Sequence, residues 1–513
     1  MQNIFKGLFV LGMLFLAGNE VYAQFYNGSN MTFGKNRVQW DNTIWTYYRY
    51  NDFDTYFYLN GNELALYTAE YARQQIPLLE RKLQSNLTEK IQFVIFNSLS
   101  DLKQSNIGLA SEQEYNTGGI TRILGTKVIL YFDGNYQNFE QQIRKGIAEM
   151  LLNQLMYGGS IGAQIRNTAI FNLPDWYREG ILSYVSEDWN SLMDDRLREG
   201  IVSGRFKKLN RLSGTDARVA GNSLWRYITE TYGAAALSDI AHMTQMSRNV
   251  QQGFLYVTGL KFKQLVRNWY AHYENLYGEQ PHNLPSTELP LKYRTYRSFE
   301  KPSLSPDGRY LSYITRDEGK IRFWLLDQQN GKKRKLFQTG YRSDVMPDDS
   351  YPVMSWHPLG TLLAFVTESK GKLWLHFYNM EDHTVSSRNM ITVQKITSID
   401  YAQNGSKIVM AAVHQGKPDI YVYDIPSNTF DQITHDYFTD LNPAFVDGDR
   451  RIVFSSNRDS DTLELHESPE PVGGDQFRLF AYDYGQRKQV LLPVSGPQAA
   501  HEIMPQDVGK GRF

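Results

Sequence analysis

The stretch "LSPDGRYLSYIT", residues 304–315, decides the fold of the second half of the chain, because a Pro-Asp-Gly turn stands directly before an apolar strand. The same order of turn and strand returns in "SWHPLGTLLAFVT" (355–367), "YAQNGSKIVMAAV" (401–413) and "FVDGDRRIVFSS" (445–456). The turn glycines, which allow a positive φ, are Gly308, Gly360, Gly405 and Gly448. They follow at steps of 52, 45 and 43 residues, a period typical of four-stranded propeller blades.

Each unit also contains a second strand that ends on Asp or Asn. These strands are "RFWLLD" (322–327), "WLHFYN" (374–379), "IYVYD" (420–424) and "RLFAYD" (478–483). Their aromatic rings fall at strand spacing, which favours packing in a β-core. Because aromatics make up 14% of the chain, carbohydrate stacking stays open as an alternative use of these rings.

The repeats resemble those of the TolB family of WD-type β-propellers. "SPDGRYLSY" (305–313) is similar to the family's Ser-Pro-Asp-Gly turn, and "FSSNRDSD" (454–461) is similar to its Ser-x-Arg-Asp stretch. The resemblance implies repeat-turn roles for Asp307, Arg458 and Asp459 beside the four glycines, and a protein partner in envelope assembly or transport. Because four units are visible, the ring is small, is completed by another segment, or is a shortened version of a longer propeller.

The first half of the chain has a mixed pattern of strands and helices. Short runs of β-branched and aromatic residues predict strands at "DTYFYL" (54–59), "IQFVIF" (91–96) and "KVILYF" (127–132). Apolar periodicity predicts helices over residues 64–84, 137–157, 174–187, 221–248 and 260–277. We therefore expect an α+β fold before the repeats begin.

A polar stretch with three prolines, "GEQPHNLPSTELP" (278–290), predicts the boundary between the two halves. The α+β domain is expected over residues 24–285 and the all-β propeller domain over residues 286–513. Within the propeller, "GKKRK" (331–335) is expected in a solvated hairpin loop. The acidic insertion "SDTLELHESPEPVGGDQ" (460–476) is expected to project from the fourth repeat, where it would suit a protein partner.

The N-terminus is typical of a secretory signal peptide. Lys6 precedes an apolar run from Gly7 to Ala17, and Val21-Tyr22-Ala23 is a small-x-small cleavage site. The run is too short to cross a bilayer, which needs about twenty apolar residues. We expect cleavage after Ala23, and a mature chain in the periplasm or at the outer membrane that is peripheral to the membrane at most and has no transmembrane segment.

Composition narrows the class of protein further. The chain has no cysteine, so a secreted form must fold without disulfides, which favours a bacterial envelope protein. Its 54 basic and 55 acidic residues give a net charge of −1, and this balance lacks the positive field that attracts nucleic acid or anionic lipid. Nucleic acid is therefore not an expected partner.

Residues 40–280 resemble the peptidase-MA branch of the gluzincin zinc peptidases in the order of their segments. The resemblance is carried by "QQIRKGIAEMLLNQLMYGG" (141–159), "LPDWYREGILSYVSE" (173–187), "GNSLWRYITETYG" (221–233) and "VTGLKFKQLVRNWY" (257–270). The sequence "GGSIG" (158–162), which begins at the end of the first segment, is expected to stop the helix. Fusion of such a domain to TolB-like repeats resembles envelope proteins of Bacteroidota.

The residues that would bind zinc in that family are replaced here. Its His-Glu-x-x-His helix and the Glu of its Trp-x-x-Glu-Gly stretch correspond to Lys145, Gly146, Glu149 and Glu179. A protonated lysine and a glycine cannot bind zinc, and no histidine lies before residue 242. The resemblance therefore implies a pseudopeptidase without metal ligands, catalytic residues or cofactor. We expect Lys145 and Glu149 to pair at i,i+4, and Glu179 to be satisfied near Arg178.

The function expected from these observations is a non-catalytic docking platform for envelope proteins in periplasmic or outer-membrane assembly, transport or secretion. The alternative is a hydrolase, a peptidase or glycosidase, that uses Glu149 and Glu179 as paired carboxylates in a metal-free cleft.

Overall fold

The computed structural model describes residues 43–105, 122–124, 126–158, 171–278, 297–317, 319–340, 348–458, 476–486, 491–494 and 505. They form an N-terminal module, residues 43–278, and a propeller module, residues 297–494. The expected domain boundary falls among residues 279–296, outside the described ranges, and the expected signal peptide also lies outside them. Both stay predictions.

A five-stranded mixed sheet forms one layer of the N-terminal module. Its strands are β1 (Thr46–Arg49), β2 (Phe53–Phe57), β3 (Ile91–Phe96), β4 (Arg122–Leu124) and β5 (Lys127–Tyr131). The spatial order is β1-β2-β3-β5-β4, in which β2, β3 and β5 run parallel and the two edge strands run antiparallel to their neighbours. The three predicted strands are thus confirmed, and they form the centre of the sheet.

Nine α-helices of the described residues accompany this sheet. They are α1 (Asn62–Leu83), α2 (Leu99–Gln104), α3 (Tyr136–Tyr157), α4 (Asp175–Ser186), α5 (Ser191–Val202), α6 (Gly214–Tyr232), α7 (Ala236–Ser247), α8 (Val250–Thr258) and α9 (Phe262–Gly278). Within the described ranges, none of the helices has the length and apolarity that a membrane span requires.

Two glycines set helix ends in this module. The predicted single helix over 221–248 is wrong, because α6 ends before Gly233, whose φ of +93° an L-residue rarely adopts, and α7 starts three residues later. Gly158, with φ of +95°, ends α3 as the sequence predicted. The residues that follow it, 159–162, lie outside the described ranges.

The closest helix contact joins α4 and α6 through a pair of glycines. A Cβ added at Gly221 would lie 2.0 Å from the carbonyl oxygen of Trp176, and one added at Gly180 would lie 2.6 Å from Gly221 Cα. Neither distance is compatible with a side chain. The two helix backbones therefore approach as closely as they do because both positions lack a Cβ.

Replacing Gly221 by alanine should force these helices apart. We expect Gly221→Ala to lower the free energy of unfolding by about 2–3 kcal/mol, because overpacking a buried contact shifts backbone. Denaturant unfolding followed by the fluorescence of the buried Trp176 and Trp225 measures it.

Gly278→Ala is the matched control, since nothing lies within 4 Å of a Cβ at that helical position. It should change the free energy of unfolding by no more than about 1 kcal/mol, in the stabilising direction. Equal effects of the two substitutions would contradict the close-contact explanation.

The propeller module consists of four antiparallel sheets of four strands, and we number these blades 1 to 4. Blade 1 contains β6 (Arg297–Leu304), β7 (Tyr310–Asp317), β8 (Lys320–Asp327) and β9 (Lys333–Thr339). Blade 2 contains β10 (Val353–Trp356), β11 (Leu362–Ser369), β12 (Lys372–Asn379) and β13 (Val385–Asn389). Blade 3 contains β14 (Lys395–Tyr401), β15 (Lys407–His414), β16 (Lys417–Asp424) and β17 (Thr429–Gln432), and blade 4 contains β18 (Asp440–Val446), β19 (Arg451–Ser456), β20 (Arg478–Asp483) and β21 (Leu491–Val494).

The blades pack face to face in chain order. One apolar cluster joins blade 1 to blade 2 through Phe323 and Phe365, whose ring centroids are 5.2 Å apart. A second joins blades 2 and 3, and a third joins blades 3 and 4. In the described part of the chain, no apolar cluster joins blade 4 back to blade 1. The described blades therefore form a row, without evident ring closure.

The repeat turns have the predicted geometry. The φ angles of Gly308, Gly360, Gly405 and Gly448 are +71°, +69°, +70° and +63°.

The predicted loop at "GKKRK" is shorter than expected, because Lys333, Arg334 and Lys335 already belong to β9, the last strand in the order of blade 1. All three are exposed there, and such charges on an edge strand discourage pairing with another chain. The acidic insertion lies between β19 and β20 as predicted, but residues 459–475 are outside the described ranges.

The two modules contact each other at one end of the blades. Tyr136 in α3 donates its backbone N–H to Thr439 Oγ1 (3.2 Å) and its hydroxyl to the carbonyl oxygen of Gly416 (2.8 Å). The hydroxyl of Tyr437 donates to the carboxylate of Glu63 in α1. Tyr437 is buried and belongs to the apolar core of the N-terminal module, so this core extends into the propeller module.

Candidate functional site

The four residues predicted as vestigial zinc-site positions are brought together by the packing of α3 against α4. Lys145 and Glu149 lie on α3, and Glu179 lies on α4 with Arg178 before it. Lys145 Nζ is 3.4 Å from Glu179 Oε2, and Arg178 contacts the carboxylates of both Glu149 and Glu179. We call this set of two cations and two carboxylates the ion-pair network.

The predicted i,i+4 pair between Lys145 and Glu149 is wrong. Each side chain instead bonds across to α4, Lys145 to Glu179 and Glu149 to Arg178. The reason is that the packing of α4 against α3 brings Glu179 and Arg178 closer to Lys145 and Glu149 than these two residues are to each other along α3. The expected satisfaction of Glu179 near Arg178 is confirmed, with 3.6 Å between Arg178 Nη1 and Glu179 Oε1.

Burial makes the pairing in this network obligatory. Glu149 is 8% exposed and Lys145 is 13% exposed, so an unpaired charge at either residue would lack water as a partner. The negative charge of Glu149 raises the pKa of the Arg178 guanidinium above its usual range, with Glu179 adding to the effect. Four charges thus neutralise one another between the helices.

These residues do not fit a zinc ion. Gly146 offers no side chain, Lys145 is a cation, and both carboxylates already accept from cationic groups. In the described part of the N-terminal module, no three His, Asp or Glu side chains bring their ligand atoms within 4.8 Å of one another. The arrangement supplies neither an open coordination position nor a carboxylate pair free to act on a substrate.

A groove of about 460 Å³ lies elsewhere on this module, between the C-terminal parts of α1 and α4. Arg81, Lys82 and Arg144 line one part of it, and Glu187 and Asp188 line another. None of the four predicted positions contributes to its walls. The groove and the predicted peptidase site are therefore separate features.

The repeat turns lie together at the end of the blades opposite the N-terminal module, and we call residues 305–309, 357–361, 402–406 and 447–450 the repeat-turn rim. The Asp307 carboxylate accepts from the backbone N–H of Arg309 (3.0 Å) inside its own turn. His357 packs against Gly405, where an added Cβ would lie 2.1 Å from Nε2 of the ring. Asp449 accepts from the backbone N–H groups of residues 403 and 404 at 2.5 and 2.9 Å. Adjacent turns thus support one another.

Arg458, predicted as a repeat-turn residue, is located at the other end of blade 4, and this prediction is wrong. Its guanidinium is buried and donates to both carboxylate oxygens of Asp440, at 2.8 and 2.7 Å. It also lies 3.1 Å from Asp436 Oδ2. The strand β19 carries the chain away from its turn, so the Ser-x-Arg stretch follows the strand and not the turn. Asp459 is outside the described residues.

Sequence reasoning missed the carboxylates around Arg458. Asp419, Asp436 and Asp440 are buried and their oxygens lie within 4.8 Å of one another, and we call them the aspartate cluster. Asp419 accepts from Thr434 Oγ1 (3.2 Å) and from the backbone N–H of Asp436 (3.3 Å). Burial, followed by the charge of Asp440, raises the pKa of Asp436 to about 7, and burial raises the pKa of Asp419 well above its usual range.

The comparisons with known proteins give a local similarity to TolB. No family model matches the chain. An 85-residue stretch, 16% of the chain, is 33% identical to the Tol-Pal system protein TolB of Helicobacter pylori strain ATCC 700392 / 26695, and it covers 19% of that protein. TolB of the H. pylori strain J99 gives the same values. The chain thus spans about a fifth of the length of the curated relatives it matches.

Solved structures give only distant matches. TolB from Acinetobacter baumannii is 14% identical with a TM-score of 0.31, over 40% of this chain and 45% of that one. The β-propeller domain of the Trilobed protease from Pyrococcus furiosus is 12% identical with a TM-score of 0.26, over 39% and 58% of the two chains. Superpositions at this level assign neither fold nor function. The TolB resemblance is therefore confirmed as a local one, while the gluzincin resemblance stays a prediction.

Removal of Arg178 should reveal how strongly the network depends on pairing. We expect Arg178→Ala to destabilise the protein by about 2–3 kcal/mol, because it leaves the 8% exposed Glu149 without its guanidinium. Denaturant unfolding measures the change, and adding Glu149→Gln to the variant should recover part of the loss.

Arg226→Ala is a matched control for this prediction. Arg226 is 41% exposed, as Arg178 is 42% exposed, but its partner Glu230 is 54% exposed. The loss at Arg226 should stay below about 0.5 kcal/mol. A similar loss in both variants would show that the burial of Glu149 is unimportant.

Proposed function

We propose that this chain is a non-catalytic cell-envelope protein that presents a propeller surface to protein partners in periplasmic or outer-membrane assembly, transport or secretion. The proposal includes secretion through the signal peptide expected at residues 1–23, and a pseudopeptidase role for the N-terminal module. Local similarity to TolB, a Tol-Pal system protein, supports an envelope setting.

The observation that carries the proposal is the ion-pair network. A peptidase of the gluzincin type needs a bound metal ion and a carboxylate that is free to activate water. Here Lys145 and Arg178 pair with the carboxylates of Glu179 and Glu149, and α4, which carries Arg178 and Glu179, packs closely against α6 at Gly180. Charges that satisfy one another in this way stabilise the fold and are not free for catalysis. We therefore assign the binding of partners to the propeller module.

The repeat-turn rim is the surface that we assign to the partner. The N-terminal module occupies the opposite ends of blades 3 and 4, through Gly416 and Thr439. The rim contains exposed groups of different character, among them Leu359, which is 77% exposed, and Arg309 and Asn404. A rigid row of turns with mixed polar and apolar groups suits a protein better than a small molecule.

Capture of partners from the native envelope tests this assignment. Tagged full-length protein, crosslinked in its own cells and analysed by mass spectrometry, should retain one or a few envelope proteins reproducibly. Leu359→Glu should reduce their recovery at least tenfold, because a charge at a protein contact must be desolvated.

Ile391→Glu provides the control, since Ile391 is 85% exposed but lies in the connection after β13, at the end of the blades away from the rim. Its recovery of partners should equal that of the unmodified chain. Failure to retain any envelope protein, or an equal loss in both variants, would contradict the role of the rim.

The hydrolase alternative has its own test. We expect purified protein to contain far less than one equivalent of zinc, and Glu179→Gln to leave any background peptidase or glycosidase turnover unchanged. Glu230→Gln, at an exposed ion pair, is the matched control for preparation quality. Stoichiometric zinc or turnover that depends on Glu179 would establish an enzyme in place of a docking platform.

A further inference from the structure

Two clusters of charge lie where the modules meet, and each contains more carboxylates than cations. The first is the aspartate cluster with Arg458. The second, which we call the lysine cluster, consists of Asp133, Asp348 and Glu368 around Lys395. Asp133 comes from the N-terminal module, and the other three residues come from blades 2 and 3 or the segment before them.

The aspartate cluster is connected directly to the contact between modules. Asp436 and Asp440 flank Tyr437 and Thr439, and these two residues bond to Glu63 and Tyr136 of the N-terminal module. The backbone N–H groups of Asp436 and Phe438 donate to Asp419 Oδ1 (3.3 Å) and Asp436 Oδ1 (3.0 Å). The conformation of residues 436–440 therefore depends on the same carboxylates that repel one another.

The lysine cluster packs against the other side of the contact. Lys395 is 4% exposed, and its Nζ donates to Ser350 Oγ (2.9 Å). A Cβ added at Gly134 would lie 2.9 Å from Thr397 Cγ2 and 3.8 Å from Lys395 Cδ, so the N-terminal module directly covers this lysine. Glu368 faces Ser100 and Asp101 of α2. Lys395 acts electrostatically on all three carboxylates and Lys103 of α2 acts on Asp348 as well, so the carboxylates of this cluster outnumber the cations that face them.

We propose that the contact between the two modules is a proton-controlled joint, docked when Asp419, Asp436 and Glu368 hold protons and loosened when they ionise. In this proposal, separation of the modules breaks the bonds that Tyr437 and Thr439 make to Glu63 and Tyr136, and the carboxyl groups beside these residues then regain water and ionise. Docking therefore takes up protons, and the position of the joint follows the pH outside the cell membrane.

Other charged groups around the two clusters determine how the joint responds. Lys417 Nζ lies 4.4 Å from the centre of the Tyr437 ring, and Glu63 faces the hydroxyl of that residue from α1. The remaining facing groups are Arg458, His414, His435, Tyr136, Lys103, Asp101 and Asp349. Burial, then the charges of Lys417 and His414, lowers the pKa of His435, so this histidine does not supply the missing positive charge near pH 7.

The direction of the response follows from the shifted groups. Burial raises the pKa of both Asp436 and Glu368 to about 7, from ordinary values near 4. A carboxyl whose pKa is raised in the docked state stabilises docking fully below its ordinary value, and this contribution is lost as pH rises through about 7. Between pH 5 and pH 7, the loosened fraction should rise by up to about tenfold per pH unit for each proton released.

Fluorescence energy transfer between dyes on two introduced cysteines measures the joint in the full chain. The chain contains no cysteine, so Leu78→Cys in α1 and Val385→Cys in β13 label only these exposed positions. We expect transfer efficiency to fall between pH 5 and pH 8, with a midpoint near 7. Asp419→Asn combined with Asp436→Asn should remove most of the fall, because both amides mimic protonated carboxyls.

Asp424→Asn is the matched control in blade 3, since Asp424 is partly exposed and its carboxylate accepts from the backbone N–H and the hydroxyl of Ser427 within its own turn. It should keep the full pH response. Tyr437→Phe removes the bond to Glu63 and should lower transfer efficiency at pH 5 as well, which keeps the test valid if the double variant does not fold. Constant efficiency from pH 5 to pH 8 would overturn the proposal, and so would a fall that the double variant retains or that a metal chelator abolishes.

Discussion

Compensation of buried charge governs this structure. The ion-pair network and the contact between modules both contain ionisable side chains that have been removed from water, and each charge is stable because another group satisfies it. Between α3 and α4, two cations meet two carboxylates. Around Arg458 one guanidinium faces three carboxylates, and bound protons must neutralise the remaining negative charge. The ion-pair network is neutral by itself, whereas the charge of the aspartate cluster depends on the protons that it takes up from the solvent.

This difference separates the two modules by role. The ion-pair network is closed, because each of its charges has a partner of opposite sign on the facing helix, and α4 is itself packed tightly against α6 at Gly180 and Gly221. Several of the charged groups at the contact between modules, Asp133, Asp348 and Asp436, lie on connecting segments, where small movements can expose them. The helix pair that carries the ion-pair network is thus fixed by its own ion pairs, and the responsive groups lie where the N-terminal module meets the propeller module.

The sequence allowed prediction of features that depend on local geometry. The four turn glycines and the strands after them were predictable because a positive φ and a two-residue alternation are properties of a few neighbouring residues. The break at Gly233 was not, since apolar periodicity continues on both sides of it. The partner of Lys145 was missed because it lies on another helix, 34 residues away along the chain. Arg458 was misplaced for a related reason, as its aspartates come from a separate connection and share no motif with it.

Blade 1 has fewer attachments than its neighbours. The described residues join it to the rest of the protein through the apolar cluster with blade 2 and through polar contacts to β10 and the residues before it. These contacts include the ion pair of Arg316 and Asp349, the bond from Lys301 to the carbonyl oxygen of Ser350 and the bond from Trp356 Nε1 to the carbonyl oxygen of Ser303. Blade 3, in contrast, packs against two blades and against α3. Under a pulling force along the chain, blade 1 should therefore detach first, while blades 2 to 4 and the N-terminal module stay assembled. A partner that pulls on blade 1 would then extend the protein before it separated the two modules.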